Sequence, residues 1–264
     1  RDKYFGSKAA GISGVQDKIS SLMLNAPVKS SGIDYIIKLN PREDEFAVEN
    51  ENFFLGLAKK CGLNTSKFDL LTDKNSQHAL RLRRFDRRFE SGQTTLLAAE
   101  DGCQAMGRYP ADKAKVSFVE MAQTLINNCP ARGVAGLELF KQLVFDWLIG
   151  NGDAHAKNYS ILESSTGEWR IAPAYDKLCT RFYDDRDMTL PIDGKTDGWD
   201  RELLVTTAQE IGVPAKAAEK AIDFQLQALA NLPQNILEGA LPFRRDLNQD
   251  VYSFLKKRAA RLDR

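Results

Sequence analysis

The chain lacks any apolar run that reaches the ~18 residues needed to span a bilayer. Histidine is scarce, with two residues, and the four cysteines (Cys61, Cys103, Cys129, Cys179) stand far apart without metal-ligand spacing. A structural zinc site is thereby excluded, and reduced thiols of a cytoplasmic protein are expected rather than disulfides. Neither sign of charge dominates: 37 basic residues face 36 acidic ones, a net +1. Such a balance gives no global attraction to nucleic acid or membrane. No signal peptide opens the chain, which starts at Arg1 without a Met and reads as a fragment or as a chain missing its first residues. Internal repeats and low-complexity tracts are absent. So is the Gly-Lys-Ser/Thr of a Walker motif, which excludes a P-loop NTPase. What remains is 264 residues, 43% apolar and 28% charged. That suits a globular protein of one large domain or two small lobes.

The two halves differ in periodicity. Residues 1 to about 84 carry strand patterns at Ile19 to Leu24, Tyr35 to Leu39 and Ala79 to Phe85. Between them Phe46 to Cys61 has helical spacing and stops at Gly62. From about 115 the helical period takes over, predicting helices over 116–128, 135–149, 200–211, 214–231 and 246–262. The expected fold is α+β and bilobal: a small sheet-rich lobe over 1–84, a larger helical lobe over 85–264, and a ligand in the cleft between them.

Asn151-Gly152-Asp153-Ala154-His155-Ala156-Lys157-Asn158 follows an apolar helix that breaks at Gly150, and Ala174-Tyr175-Asp176 follows a strand-like stretch. A base, a metal-binding Asn and a metal-binding Asp in this order is how a kinase site is often written. Asp153 would accept the proton of an attacking hydroxyl. Asn158 and Asp176 offer Mg²⁺ the hard oxygens it prefers. Lys157 would neutralise the transferring phosphoryl group. His155 shapes the loop beside the nucleotide. An ordinary Asp/Asn/Gly-rich turn is the bland alternative.

Upstream, Gly11-Ile12-Ser13-Gly14-Val15-Gln16-Asp17-Lys18 reads as a hairpin turn or as a loop whose amides, at Gly14, Val15 and Gln16, cover phosphates. Lys38 sits alone in the apolar strand Tyr35 to Leu39 and needs an anion. An ATP phosphate would serve, with Glu51 holding the lysine and Glu49 and Glu45 as alternatives. Arg81 to Arg88 has five arginines in eight positions and joins the halves. It is either a solvated charge run or a hinge whose backbone meets adenine. In the hinge reading Arg83, Phe85 and Asp86 face the nucleotide, Asp86 towards a ribose hydroxyl. The arginines are also candidates to bind an acidic or tRNA-associated partner. Trp147, Trp169 and Trp199 read as packing residues, and the amphipathic C-terminal run as a docked helix.

Together these segments resemble the HipA-like serine/threonine kinases of bacterial toxin–antitoxin systems. The matching pieces are Ser13 to Lys18, Ile36 to Leu39, Val48 to Glu51 with Leu57 to Leu63, Arg84 to Arg87, Glu100 to Gly107, Asp153 to Asn158 and Pro173 to Asp176. The resemblance implies a protein-kinase-like fold, ATP and Mg²⁺ as cofactors, and self-phosphorylation of a loop serine that ejects the loop. Ser13 is the serine present, and Gly11 stands where many members have Ser. It further implies an aminoacyl-tRNA synthetase as target, tryptophanyl or glutamyl, and a helix-turn-helix antitoxin as partner. DNA would then be met only through the antitoxin. Only about ten residues precede the loop, as in the short HipT-like toxins, in which a separate small protein replaces the N-terminal subdomain. Two rival readings are a small-molecule phosphotransferase of the aminoglycoside or choline kinase kind, and a non-catalytic kinase-like module in an antitoxin–DNA complex.

Overall fold

The computed structural model describes residues 23–41 and 45–263. The glycine-rich segment, with Ser13, Gly14, Val15 and Gln16, lies outside the described residues.

The described residues open with β1 (Leu24–Ser30) and β2 (Ile33–Leu39), an antiparallel pair turned by Ser31 and Gly32 at φ 49° and 81°. Two successive left-handed residues suit the twist of a tight hairpin. Helix α1 (Ala47–Lys60) follows, then β3 (Phe68–Thr72) and β4 (His78–Arg83). These strands form one antiparallel sheet in the order β1-β2-β4-β3. Pro27 is tolerated because β1 is an edge strand. Of the strand expected over Ile19 to Leu24, residues 19–22 lie outside the described residues, and β1 runs on from Leu24. The anticipated β2, α1 and β4 are present, and β3 was not foreseen because its Asp69 interrupts a short apolar run.

β5 (Arg87–Glu90) and β6 (Gln93–Leu96) make a second hairpin across Ser91-Gly92, and β7 (Ala99–Asp101), β8 (Ser160–Glu163) and β9 (Trp169–Ile171) make a three-stranded sheet. The remainder is helical. A single turn, α2 (Gly102–Ala105), is capped by Asp101. α3 (Phe118–Asn127) is capped by Ser117, and α4 (Arg132–Ile149) ends at Gly150 in the left-handed conformation at φ 75°. α5 (Arg201–Glu210), α6 (Ala215–Ala228), α7 (Leu232–Leu237) and α8 (Arg245–Leu262) complete the chain. All five helices expected after residue 115 match within three residues at each end. The short α7, which starts at Leu232 just beyond the expected 214–231, was not foreseen.

Two apolar clusters form. The smaller joins Leu80 and Leu82 of the sheet to Ala47, Val48 and Leu55 of α1, with Leu178 reaching in from the far side of the cleft. The larger is built on α4, whose Leu139, Phe140, Leu143, Val144, Trp147 and Leu148 are buried, and it includes Phe54, Leu57, Ala58 and Cys61 from α1. α1 therefore packs on both clusters. Trp147 stacks on Trp199 at 4.8 Å, and the Arg258 guanidinium of α8 lies 3.8 Å from the Trp147 ring while donating to the Trp147 carbonyl. The C-terminal helix is thus docked on α4. All four cysteines are free and buried. Burial pushes the Cys61 and Cys179 thiols up to about 12, so neither is a nucleophile at neutral pH.

Candidate active site

β2 carries Lys38 with only 5% of its surface exposed, and α1 brings Glu51, fully buried, to meet it. The Lys38 ammonium donates to both Glu51 carboxylate oxygens at 2.8 Å and also contacts Asp176 Oδ1. One lysine therefore bridges two acids, one from each side of the cleft. Burial opposes the charge on Lys38, but Asp176 and Glu51 outweigh it and raise its pKa. Burial pushes the Glu51 carboxyl up, only partly offset by Lys38. Asp176 behaves oppositely: burial would raise it, but Lys38 holds it below the usual carboxylate range. Of the alternatives for the lysine's partner, Glu49 is occupied elsewhere, pairing with His78 at 2.7 Å and Asn40 at 2.9 Å.

Asp176 has φ 51°, the left-handed region in a non-glycine residue. Such a conformation costs energy and persists only where the surroundings enforce it. Here Lys38 holds one oxygen and Asn158 Nδ2 donates to the other at 2.9 Å, while the Asp176 carbonyl accepts from Asn151 Nδ2 at 3.1 Å. Asn158 Oδ1 in turn accepts from the His155 backbone N–H at 3.0 Å.

The loop that holds Asp153 starts at the C-terminus of α4. A side chain at Gly150 would strike the Phe254 ring at 2.5 Å, and one at Gly152 would meet the Asp187 carbonyl at 2.7 Å. Gly150 is required by its left-handed φ of 75°, and Gly152 by the close approach of the Asp187 backbone. Asp153 and His155 are buried at 2% and 6% exposure, with His155 Nε2 4.0 Å from Asp153 Oδ1. Lys157 forms an ion pair with Asp101, the cap of α2.

The structure thus brings Lys38, Glu51, Asn158 and Asp176 into direct contact, with Asp153 and His155 on the same loop. Next to them lies a cavity of 460 Å³ lined by Lys38, Ile36, Leu82, Phe85, Tyr175 and Asp176, with Arg83 and Asp86 at its wall. The Phe85 N–H and C=O take no hydrogen bond among the described residues. Asp86 is engaged: Arg84 donates to both its oxygens, at 2.9 and 2.6 Å, and Arg87 to one at 2.8 Å. Burial would raise Asp86, and these arginines bring it below the usual value. A ribose hydroxyl would share this carboxylate with two arginines.

Several site residues were not singled out from the sequence. Asp146 and Lys177 form a fully buried pair at 2.6 Å, and Tyr159 and Asn151 each donate to Asp146 at 2.8 Å. This network lies directly beneath Asp176, and its only signal was one acid inside the apolar face of α4. Asn50 accepts from Cys179 N and donates to Cys179 O, both at 2.9 Å, tying α1 to the chain just after Asp176. Tyr175 donates to the Lys157 carbonyl at 2.6 Å and packs on Phe85 with ring centroids 5.6 Å apart.

With this geometry in hand, a family model for the HipA-like C-terminal domain matches residues 10–232. The chain belongs to the HipA-like C-terminal domain family. Among HipA-like relatives, Sinorhizobium fredii Y4mE, which is named a kinase, is 29% identical over 86% of this chain and 57% of its own. The serine/threonine-protein kinase toxin HipA of Shewanella oneidensis is 30% identical over 57% of this chain and 38% of its own. The chain therefore spans about half the length of the curated relatives it matches. The HipA-like fold is shared with two solved structures. One is Shewanella oneidensis HipA, solved with HipB and operator DNA, at TM-score 0.73 and 22% identity over 98% of this chain and 66% of that one. The other is the Helicobacter pylori proinflammatory kinase CtkA, at TM-score 0.61 and 16% identity over 90% and 88%.

Proposed function

We propose that this chain is the kinase portion of a HipA-like toxin, an ATP- and Mg²⁺-dependent enzyme that phosphorylates a serine or threonine of a protein. The observation that carries the reading is Lys38, buried and bridging Glu51 and Asp176 across the cleft. A buried lysine between two carboxylates, beside a cavity with an apolar wall, suits a site that exchanges one acid for a phosphate.

In this reading residues 1–84 form the lobe with the glycine-rich loop and the nucleotide lysine, and 85–264 the lobe with the catalytic loop and metal site. Lys38 would bind the nucleotide phosphates while Glu51 fixes its position. Phe85 and Arg83 would line the base pocket. Asp153 would take the proton of the acceptor hydroxyl. His155 holds the loop through its N–H to Asn158. Lys157, tied to Asp101, would act at the mouth of the site. Asn158 and Asp176 fit a Mg²⁺ ion: their oxygens are hard donors, and no cluster of three His, Cys, Asp or Glu side chains forms among the described residues. A two-ligand protein contribution completed by phosphate and water is what Mg²⁺ commonly takes. Bound Mg²⁺·ATP supplies the phosphoryl group and the charge that stabilises its transfer.

The remaining proposals rest on family membership. They are silencing by phosphorylation of Ser13, restraint by a helix-turn-helix antitoxin with DNA met only through it, a separate small N-subdomain-like protein, a cytoplasmic setting, and an aminoacyl-tRNA synthetase as target, tryptophanyl ahead of glutamyl. Overexpression with each synthetase co-expressed in turn tests the target: growth rescue with a phosphoserine or phosphothreonine on one of them supports the reading. Absence of rescue by all, with phosphorylation of a small hydroxylated metabolite, contradicts it.

A further inference from the structure

Beside the Arg83–Asp86 connection lies a second cavity, of 380 Å³, which shares Arg83, Arg84 and Phe85 with the first but extends over Lys67, Arg87, Arg88 and Arg170, which the proposed kinase chemistry does not use. Its walls hold six cations: Lys67, Arg83, Arg84, Arg87, Arg88 and Arg170. They come from three segments, the start of β3, the connection into β5, and β9. The chain as a whole carries a net charge of only +1, so this concentration is local. Three of the six have acidic partners: Arg84 and Arg87 share Asp86, and Arg88 pairs with Glu90. The side chains of Lys67, Arg83 and Arg170 form no ion pair or hydrogen bond among the described residues; Lys67 and Arg83 meet only through the backbone, Arg83 N–H donating to the Lys67 carbonyl at 2.8 Å. Like charges converging on one concavity repel, and an anion between them removes that repulsion. Ser66 and Ser165 add hydroxyls to the same wall.

We propose that this pocket binds the phosphate monoester of a phosphorylated serine or threonine on a separate protein chain. Three uncompensated cations match a group of about −1.5 to −2 charge better than a single carboxylate. Five arginines to one lysine favour a planar, multi-oxygen acceptor that guanidinium forks can grip. Nucleic acid is the poorer match. It needs a track of cations along an extended path and exposed aromatic faces for its bases. This site is a compact pocket, and its one ring, Phe85, is half-buried against Tyr175. The proposal does not depend on the chain being a kinase.

The test is calorimetric binding to the full chain carrying Asp153→Asn, without nucleotide. The probes are a phosphoserine peptide, the same peptide unphosphorylated, inorganic phosphate and a single-stranded RNA of equal charge. Lys67→Glu and Arg170→Glu are the variants, since both side chains are exposed and lie outside the Lys38 cleft. The proposal expects binding of the phosphopeptide alone among the peptides, weakened roughly 10–100-fold in either variant. Phosphate should bind weakly at the same site and compete. Equal binding of both peptides, unchanged affinity in the variants, tighter binding of RNA, or no binding by any probe would overturn it. Loss of kinase activity in the wild-type chain would leave these results untouched.

Discussion

Asp153, at the turn after α4, is the residue on which transfer depends in this account. Asp153→Asn keeps the shape and removes the base. The expected result is phosphoryl transfer slowed by ~10²–10⁴ with nucleotide affinity within a few-fold of wild type, read by single-turnover labelling and calorimetry. Asp176→Asn should instead weaken Mg²⁺-dependent ATP binding, because it removes one of two hard ligands and a partner of Lys38. Unchanged affinity with its metal dependence kept would move the metal elsewhere. The same substitution has a pH signature. Lys38 lowers the Asp176 pKa, so the folded state loses a proton more readily than the unfolded one. The stability this contributes is present above the ordinary carboxylate value and is lost as pH falls through the lowered one. Urea titrations from neutral to acidic pH should show an acid limb that is shallower in Asp176→Asn. At this scale Lys38, Glu51, Asn158 and Asp176 were legible because charge in an apolar strand and an Asp-to-Asn loop are chemically conspicuous. Asp86 was legible as a polar residue at the connection, but its capture by Arg84 and Arg87 was not, since a run of arginines does not say which ones turn inward.

Elements hold these residues in register through contacts the sequence pattern does not reveal. α1 must stay fixed relative to Asp176, or Glu51 cannot orient Lys38. Asn50 does this through its two hydrogen bonds to the Cys179 backbone. Asn50→Leu leaves a buried N–H and C=O without partners, at about 1–3 kcal/mol each. We expect lower stability and a fall in turnover larger than the change in ATP affinity, measured by denaturation and by the KM-against-kcat split. Beneath the site, Lys177→Met strands Asp146 in a fully buried position. Breaking such a pair costs about 3–5 kcal/mol, so soluble expression should drop, and the double variant Asp146→Leu with Lys177→Met should recover part of it. Helices α3 to α6 and α8 were readable because apolar residues repeat at helical spacing over long stretches. The short strands β3, β5, β6 and β7 were not, because three to five residues carry too little periodicity. The Ser91-Gly92 turn was the one local sign of the second hairpin.

At the scale of the whole molecule, β2 and α1 on one side of the cleft and α4 with its following loop on the other meet through one lysine. The change in periodicity suggests a division near residue 84; across it, α1 packs on both apolar clusters and Leu178 joins the smaller one. An amphipathic helix buried on both faces differs little in sequence from one buried on a single broad face. The central claim, that this cleft moves phosphate from ATP to a protein hydroxyl, is tested most directly by one measurement. The full chain, its Asp153→Asn form and its Asp176→Asn form are each incubated with Mg²⁺ and γ-labelled ATP in a cell lysate, and labelled proteins are identified by mass spectrometry. The account predicts label on serine or threonine of a discrete protein with the wild-type chain, and none above background with either variant. Equal labelling by all three chains, or no protein labelling by the wild-type chain, would contradict it.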